Sequence, residues 1–115
     1  MKSETASITV LIADDHEVAR EGVRKMLADA PDIESVGVAE DGTAAQQLAA
    51  RLQPHILLLD LVMPGPRPAE IVLWAHTHCP ETAVLGLTAH DRDYYLAQML
   101  DAGAAGYLDK GARAQ

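Results

Sequence analysis

The chain has 115 residues, 49% of them apolar and only 3% aromatic, so aliphatic side chains and alanine must build the core of what should be one domain. A net charge of -8 argues against a surface that grips a nucleic-acid backbone and favours a protein partner or a bound cation. The single cysteine excludes an internal disulfide, and no apolar stretch is long enough to cross a bilayer. Because the first seven residues are polar and do not resemble a signal peptide, we expect a cytoplasmic protein without a membrane partner.

Short apolar runs alternate with amphipathic segments along the chain. The apolar runs predict strands at about residues 8–13, 33–39, 55–60, 82–88 and 105–109. The intervening segments predict helices at about residues 16–30, 43–52, 68–77 and 91–102. This β-α alternation with short connections indicates a parallel sheet with helices on both faces.

Capping residues, a proline and a glycine mark the predicted ends of the helices. Asp15 and Thr43 are candidate N-caps of the first and second helices, and Pro68 suits the first turn of the third. Gly103 should end the fourth helix. The predicted inward face of the first helix comprises Ala19, Gly22, Val23, Met26, Leu27 and Ala30, and that of the fourth comprises Tyr95, Leu96, Met99 and Leu100.

A fifth helix is expected after Lys110, but residues 111–115 supply only a first turn. We therefore interpret residues 1–115 as a domain whose last helix is missing or truncated, and as an N-terminal fragment of a longer protein. Either interpretation leaves apolar surface exposed.

Polar residues stand at the carboxyl ends of four of these strands. Asp14 and Asp15 follow the first strand, Asp60 ends the third, Thr88 ends the fourth and Lys110 follows the fifth. In a parallel sheet these ends meet at one edge, where ligands bind. Three carboxylates in one pocket repel each other, and Mg²⁺ relieves that conflict because it prefers oxygen ligands. A carboxylate at a strand end can attack phosphorus, while a hydroxyl and an ammonium stabilise phosphoryl oxygens.

Each of these residues has a simpler interpretation when it is taken alone. Asp14 and Asp15 could serve the start of a helix, Thr88 could cap the next helix, and Lys110 could be a solvated surface residue. Their conjunction at successive strand ends favours the phosphate and metal site.

The chain resembles a response-regulator receiver domain, the phosphoacceptor half of two-component signalling. It is most similar to the subfamily in which a helix-turn-helix (LuxR-type) DNA-binding domain follows the receiver. The stretches that carry the resemblance are residues 10–16, 58–65, 87–91 and 102–110. The resemblance implies a flavodoxin-like (CheY-like), doubly wound sheet of five parallel strands in the order 2-1-3-4-5.

The resemblance also implies roles for the residues at the strand ends. Asp60 would accept a phosphoryl group from a histidine of a sensor histidine kinase. Asp14 and Asp15, the latter more directly, would bind Mg²⁺ or Mn²⁺ with Asp60 and the backbone carbonyl of Val62.

Two further residues would contact the phosphoryl group, and a third would change its conformation in response to phosphorylation. Thr88 and Lys110 would hold the phosphoryl oxygens, and Tyr107 resembles a switch aromatic that turns inward when Thr88 moves. The output would be transcription regulation, with DNA bound only through a domain absent from these residues and with a homodimer as a further assembly. We expect a switch with at most weak self-catalysed phosphorylation and dephosphorylation, not a turnover enzyme.

One loop departs from the family pattern. After residues 63–65 the family has an apolar residue, a variable residue and a glycine, whereas this chain has Pro66, Arg67 and Pro68. The two prolines should stiffen the loop beside Asp60.

Three other classes of protein fit the sequence less well. A phosphatase with an aspartyl-phosphate intermediate needs a second acid two residues after the nucleophile, where this chain has Val62. A flavin-binding electron carrier needs a phosphate loop after the first strand, where Asp14 and Asp15 would repel phosphate. A receiver-like module used only for protein contact predicts a broken acid set, whereas this set is complete.

The remaining candidates are histidines and the cysteine. His76, His78 and Cys79 form a weak metal motif, and we interpret them as surface residues. His16 follows the acid pair and could contact the site, but a solvent-exposed residue in the first turn is the favoured interpretation. His90 is expected at the rim of the pocket, where it would change the lifetime of the phosphoryl group by gating water.

Overall fold

The computed structural model describes residues 7–88 and 93–109. The strands are β1 (Ile8–Ala13), β2 (Ile33–Ala39), β3 (Ile56–Asp60), β4 (Ala83–Thr88) and β5 (Gly106–Asp109). The helices are α1 (Glu17–Ala28), α2 (Gly42–Leu52), α3 (Pro68–His78) and α4 (Asp93–Ala102). Lys110, His90, residues 91–92 of the predicted fourth helix and the expected fifth helix lie outside the described residues.

The five strands form one parallel sheet in the order β2-β1-β3-β4-β5. The predicted fold class and strand order are therefore confirmed. Ala13, the last residue of β1, is paired with Ala39 on one side and with Leu59 on the other. The residues that follow these strands consequently emerge at the same edge of the sheet.

Alternation along the central strands divides the core into two layers, because neighbouring side chains of a strand point to opposite faces. One layer lies under α1 and consists of Val10, Ile12, Leu58 and Leu87, with partly buried Val23 and Leu27 from the helix. The other layer lies under α2, α3 and α4, and its buried members include Leu11, Leu57, Leu59, Val84, Ala45, Ala49, Ile71, Val72 and Met99. Helices therefore cover both faces, as predicted.

Two of the predicted N-caps are wrong. Asp41, not Thr43, caps α2, because its extended backbone lets the side chain accept a hydrogen bond from the N–H of Ala44 at 2.8 Å. His16, not Asp15, precedes α1, and its side chain makes no capping hydrogen bond.

The predicted start of α3 and the predicted end of α4 are confirmed. Pro68 is the first residue of α3. Gly103 has φ +114°, its N–H donates to the carbonyl of Leu100 at 3.0 Å, and the N–H of Ala104 donates to that of Met99 at 3.0 Å. This pair of bonds satisfies the last carbonyls of α4.

The apolar faces of α1 and α4 are less buried than predicted. Met99 is fully buried, but Tyr95 and Leu100 are exposed, because α4 packs mainly against α3 and contacts the sheet only at β4 among the described elements with substantial contacts. Met26 of α1 is 59% exposed, beside a groove whose floor includes Leu87 and Leu108. In the described residues no helix has both the length and the apolar character that a membrane crossing needs.

The proline-containing loop after β3 docks against the start of α2. The N–H of Gly42 donates to the carbonyl of Pro64 at 2.9 Å, and Gly65 has φ +106°, which favours glycine. At the other end of the loop, the Glu70 carboxylate accepts from the N–H of Arg67 at 3.1 Å. These contacts anchor the loop beside the carboxyl edge of the sheet.

Candidate functional site

Three carboxylates and one imidazole meet at the carboxyl edge of the sheet. Asp14, Asp15, His16 and Asp60 each offer one potential ligand atom, and these four atoms lie within 4.8 Å of one another. Asp14 and Asp60 are buried, whereas the Asp15 side chain is 34% exposed. The structure therefore brings together the three acids that the strand pattern placed at this edge, with Asp15 at the solvent side.

Backbone hydrogen bonds fix the position of Asp14. Its N–H donates to the carbonyl of Ala39 at 3.0 Å, which extends the pairing of β1 with β2 by one residue. Its Oδ1 accepts from the N–H of His16 at 2.9 Å. These two bonds hold a buried carboxylate at the end of the strand, facing the site.

The side chain of Arg20 binds the backbone at this end of β1. Its Nη1 donates to the carbonyl oxygen of Asp14 at 3.0 Å, and its Nη2 lies 3.8 Å from Oε2 of Glu40. The guanidinium is nearly buried, although arginine is seldom buried in proteins. Arg20 is not among the residues predicted from the sequence, because a basic residue among the apolar positions of a helix is usually solvated.

Asp60 is held by the chain that follows it. Its Oδ1 accepts from the N–H of Val62 at 3.3 Å, and the N–H of Leu61 donates to the carbonyl of Leu87 at 3.1 Å. Val62 itself is half-exposed, so the chain reaches the protein surface two residues after Asp60. Asp60 is therefore a buried carboxylate whose orientation is fixed by the segment that follows it.

His16 is closer to the acids than its exposure suggests. Its side chain is 66% exposed, yet Nδ1 lies 3.2 Å from Oδ1 of Asp15, 3.4 Å from Oδ1 of Asp14 and 3.9 Å from Oδ2 of Asp60. The predicted exposure is confirmed, but His16 precedes α1 and is not in its first turn. It also contacts the acids, which was the less favoured interpretation of the sequence. The only signal in the sequence was its position directly after the acid pair.

Thr88 and Tyr107 lie on neighbouring strands near this edge. Thr88 is buried and is paired with Asp109, while Tyr107, on edge strand β5, is paired with Gly86 and is 52% exposed. Because paired residues share a face and alternate residues repeat it, Thr88 and Tyr107 belong to the same face of the sheet. Lys110 and His90 lie outside the described residues, so their predicted places at this site stay predictions.

His76, His78 and Cys79 do not form a cluster. The ring nitrogen Nε2 of His76 donates to the carbonyl of Ala102 at 3.2 Å, and Nδ1 of His78 donates to that of Trp74 at 2.9 Å. Cys79 is fully buried, so its predicted surface position is wrong. Burial raises the pKa of its thiol, and a hydrogen bond with Thr82 opposes that rise.

A doubly wound parallel sheet with an acid cluster at its carboxyl edge defines a ligand-binding α/β domain. Within that class, residues 10–115 match the family described as the response regulator receiver domain. The chain therefore belongs to the receiver domains of two-component response regulators, which are signalling switches.

Individual relatives agree with this assignment. The response regulator GacA of Pseudomonas protegens is 39% identical over 105 residues, which cover 91% of this chain and 49% of GacA. The signal receiver domain of NarL from Mycobacterium tuberculosis superposes with a TM-score of 0.87 at 36% identity, covering 94% of this chain and 87% of that one.

A further solved structure is a LuxR-family two-component response regulator from Aurantimonas. It superposes with a TM-score of 0.84 at 28% identity, covering 93% of this chain and 76% of that one. The chain spans about half the length of GacA, the curated relative described above.

Proposed function

We propose that residues 1–115 act as a phosphoacceptor switch, in which Asp60 accepts a phosphoryl group from a histidine of a sensor histidine kinase. The observation that carries the proposal is the convergence of Asp14, Asp15 and Asp60 at the carboxyl edge of the sheet. Membership of the receiver family supports the same reaction.

The donor set fits a hard divalent cation. Three carboxylates whose oxygens lie within 4.8 Å of one another provide the oxygen-rich, negatively charged surroundings that Mg²⁺ or Mn²⁺ requires. Asp14, Asp15 and Asp60 would hold the ion, and the backbone carbonyl of Val62 would be its fourth protein ligand. When bound, the ion supplies positive charge that screens the acids and the incoming phosphoryl oxygens.

Asp60 then performs the transfer as a nucleophile. A carboxylate oxygen forms a bond to phosphorus while the P–N bond of the donor phosphohistidine breaks, and its electron pair returns to the donor imidazole. The product is an acyl phosphate on Asp60. The hydrogen bond from the N–H of Val62 to Oδ1 orients this carboxylate before the reaction.

Phosphorylation would change the protein surface through three residues, Thr88, Lys110 and Tyr107. Thr88 and Lys110 would contact the phosphoryl oxygens, since a hydroxyl and an ammonium both stabilise oxyanions. Movement of the buried Thr88 toward the phosphoryl group would free space on its sheet face, and the exposed Tyr107 on the same face would turn inward. His90, which is predicted to lie at the rim, would change the rate at which water reaches the acyl phosphate.

The downstream output is proposed to be transcription. The similarity to a LuxR-family response regulator supports a DNA-binding domain beyond these residues, and a homodimer would be a natural way to present two such domains. The net charge of -8 fits a domain that leaves contact with DNA to another part of the protein. The switch would turn over its own phosphoryl group slowly and would not act on external substrates.

Intact mass after incubation with acetyl phosphate tests the proposal. We expect a single phosphoryl adduct with Mg²⁺, and none with a chelator or in Asp60→Asn. Asp101→Asn, which removes an exposed acid from α4, is the matched control and should be modified like the wild type. Failure of the wild type to form the adduct, or an adduct that survives Asp60→Asn, would refute the proposed acceptor.

A further inference from the structure

The position of His16 has a consequence for the metal that the site can bind. The three carboxylates alone offer only oxygen ligands, but the Nδ1 atom of His16 lies among them, 3.2 Å from Asp15 and 3.4 Å from Asp14. An imidazole nitrogen is a good ligand for Zn²⁺, Ni²⁺ and Cu²⁺, whereas Mg²⁺ is bound almost entirely by oxygen. The cluster therefore contains a donor that discriminates between these ions.

The distances fit shared coordination of one ion. Ligand atoms about 2.1 Å from a metal lie roughly 3.0 Å apart along the edge of an octahedron and roughly 3.4 Å apart along the edge of a tetrahedron. The separations of Nδ1 from Asp15 and Asp14 lie in this interval, and that from Oδ2 of Asp60, 3.9 Å, is slightly longer. All four potential ligand atoms lie within 4.8 Å of one another, so a bound ion would draw the carboxylates and the imidazole together.

The backbone favours this arrangement as well. His16 immediately precedes α1, and its N–H is already bound to Oδ1 of Asp14, so the main chain holds the residue against the acid pair. Its side chain is not used as a helix cap and is therefore available as a ligand. The imidazole could join the coordination without disturbing α1.

We propose that His16 supplies a nitrogen ligand, through Nδ1, to a divalent transition-metal ion held by Asp14, Asp15 and Asp60. This inference rests on the proposed metal site and adds a second binding mode to it. Mg²⁺ uses the carboxylates without His16, while Co²⁺, Ni²⁺ and Zn²⁺ use the carboxylates with it. His16 is thus a residue that determines metal selectivity.

The test compares Co²⁺ and Mg²⁺ binding to the metal-free chain by calorimetric titration, with the visible absorption of bound Co²⁺ as a second measurement. His16→Ala should weaken Co²⁺ binding by about tenfold or more. Loss of a residue that only hydrogen-bonds to a metal ligand already weakens metal binding by about tenfold to a hundredfold, and loss of a direct ligand should do at least as much. Its Mg²⁺ affinity should stay within about twofold of the wild type, because Mg²⁺ is bound through oxygen. The Co²⁺ absorption spectrum should change in His16→Ala.

Two further variants complete the design. His78→Ala removes an exposed histidine from α3 and should bind both ions like the wild type, whereas Asp60→Asn should weaken both. Equal Co²⁺ affinity and spectra in wild type and His16→Ala, with Mg²⁺ still bound, would overturn this inference alone. A parallel loss of Mg²⁺ affinity in His16→Ala would also overturn it, and a wild type that binds neither ion would overturn the proposed metal site itself.

Discussion

The guanidinium of Arg20 donates a hydrogen bond from Nη1 to the backbone carbonyl of Asp14, at 3.0 Å, and so ties α1 to the strand end that carries the acid pair. The same guanidinium lies 3.8 Å from the carboxylate of Glu40, which follows β2. The nearly buried guanidinium of Arg20 thus links the carboxyl ends of β1 and β2 next to the site.

Removal of this cation should destabilise the fold. A hydrogen bond from a charged donor contributes about 1.5–3 kcal/mol, so Arg20→Ala should lower the free energy of unfolding by about that amount. Urea unfolding measures the change. Arg24→Ala removes an exposed arginine from the next turn of α1 and should stay within about 0.5 kcal/mol of the wild type. Equal stability of the two variants would contradict the structural role of Arg20.

Bound Mg²⁺ should stabilise the domain through Asp15. A ligand present at about 100 times its dissociation constant adds about 2.7 kcal/mol to the free energy of unfolding. Asp15→Asn removes a partly exposed acid and should therefore reduce this gain while leaving the metal-free protein close to wild-type stability. A tenfold weaker affinity would reduce it by about 1.4 kcal/mol.

Thermal unfolding with and without Mg²⁺ measures this difference. Asp101→Asn, which removes an exposed acid from α4, should keep the full stabilisation. An undiminished Mg²⁺ effect in Asp15→Asn would show that Asp15 is not a ligand.

Two exposed glycines should respond in opposite directions to alanine. Gly103 has φ +114°, which is strained for alanine, and a Cβ there would meet the imidazole of His76 that is bonded to the carbonyl of Ala102. Gly103→Ala should cost about 1–3 kcal/mol. Gly22 lies within α1 with no atom near its missing Cβ, so Gly22→Ala should gain about 0.5–1 kcal/mol. Urea unfolding of both variants measures the contrast, and a shift of the same sign in both would contradict it.

The parts of the fold that could be predicted are those that depend on pattern. Apolar runs locate all five strands, and the parallel arrangement brings Asp14, Asp15 and Asp60 to one edge without knowledge of any side-chain conformation. The contact of His16 with the acids and the burial of Arg20 depend on local rotamers and on which gap a long side chain fills. A sequence pattern does not carry that information.

The wrong N-caps have a similar origin. Asp41 and Thr43 are both suitable caps, and the choice between them depends on the residue at which the chain leaves the extended conformation. The exposure of Tyr95 follows from the position of α4, which buries Met99 but leaves the side chains on either side of it exposed to solvent.

Burial of Cys79 should appear in the pH dependence of stability. Desolvation raises the pKa of its thiol in the folded state, so the folded protein holds this proton more tightly than the unfolded chain. The stabilisation is fully present below about pH 8.5, the pKa of a thiol in water. It is lost as the pH rises through the folded pKa, because the unfolded chain gives up its proton first.

Unfolding free energies at pH 7 and at about pH 9.5, above the ordinary pKa of a thiol, measure this effect in wild type and Cys79→Ala. The wild type should lose more stability between the two pH values, because only it carries the buried thiol. The cavity left by alanine lowers stability at both pH values and cancels in the difference, as do all other titrating groups. Identical pH dependence in the two proteins would mean that the thiol is not held protonated by the fold, and rapid alkylation of Cys79 in the native wild type would lead to the same conclusion.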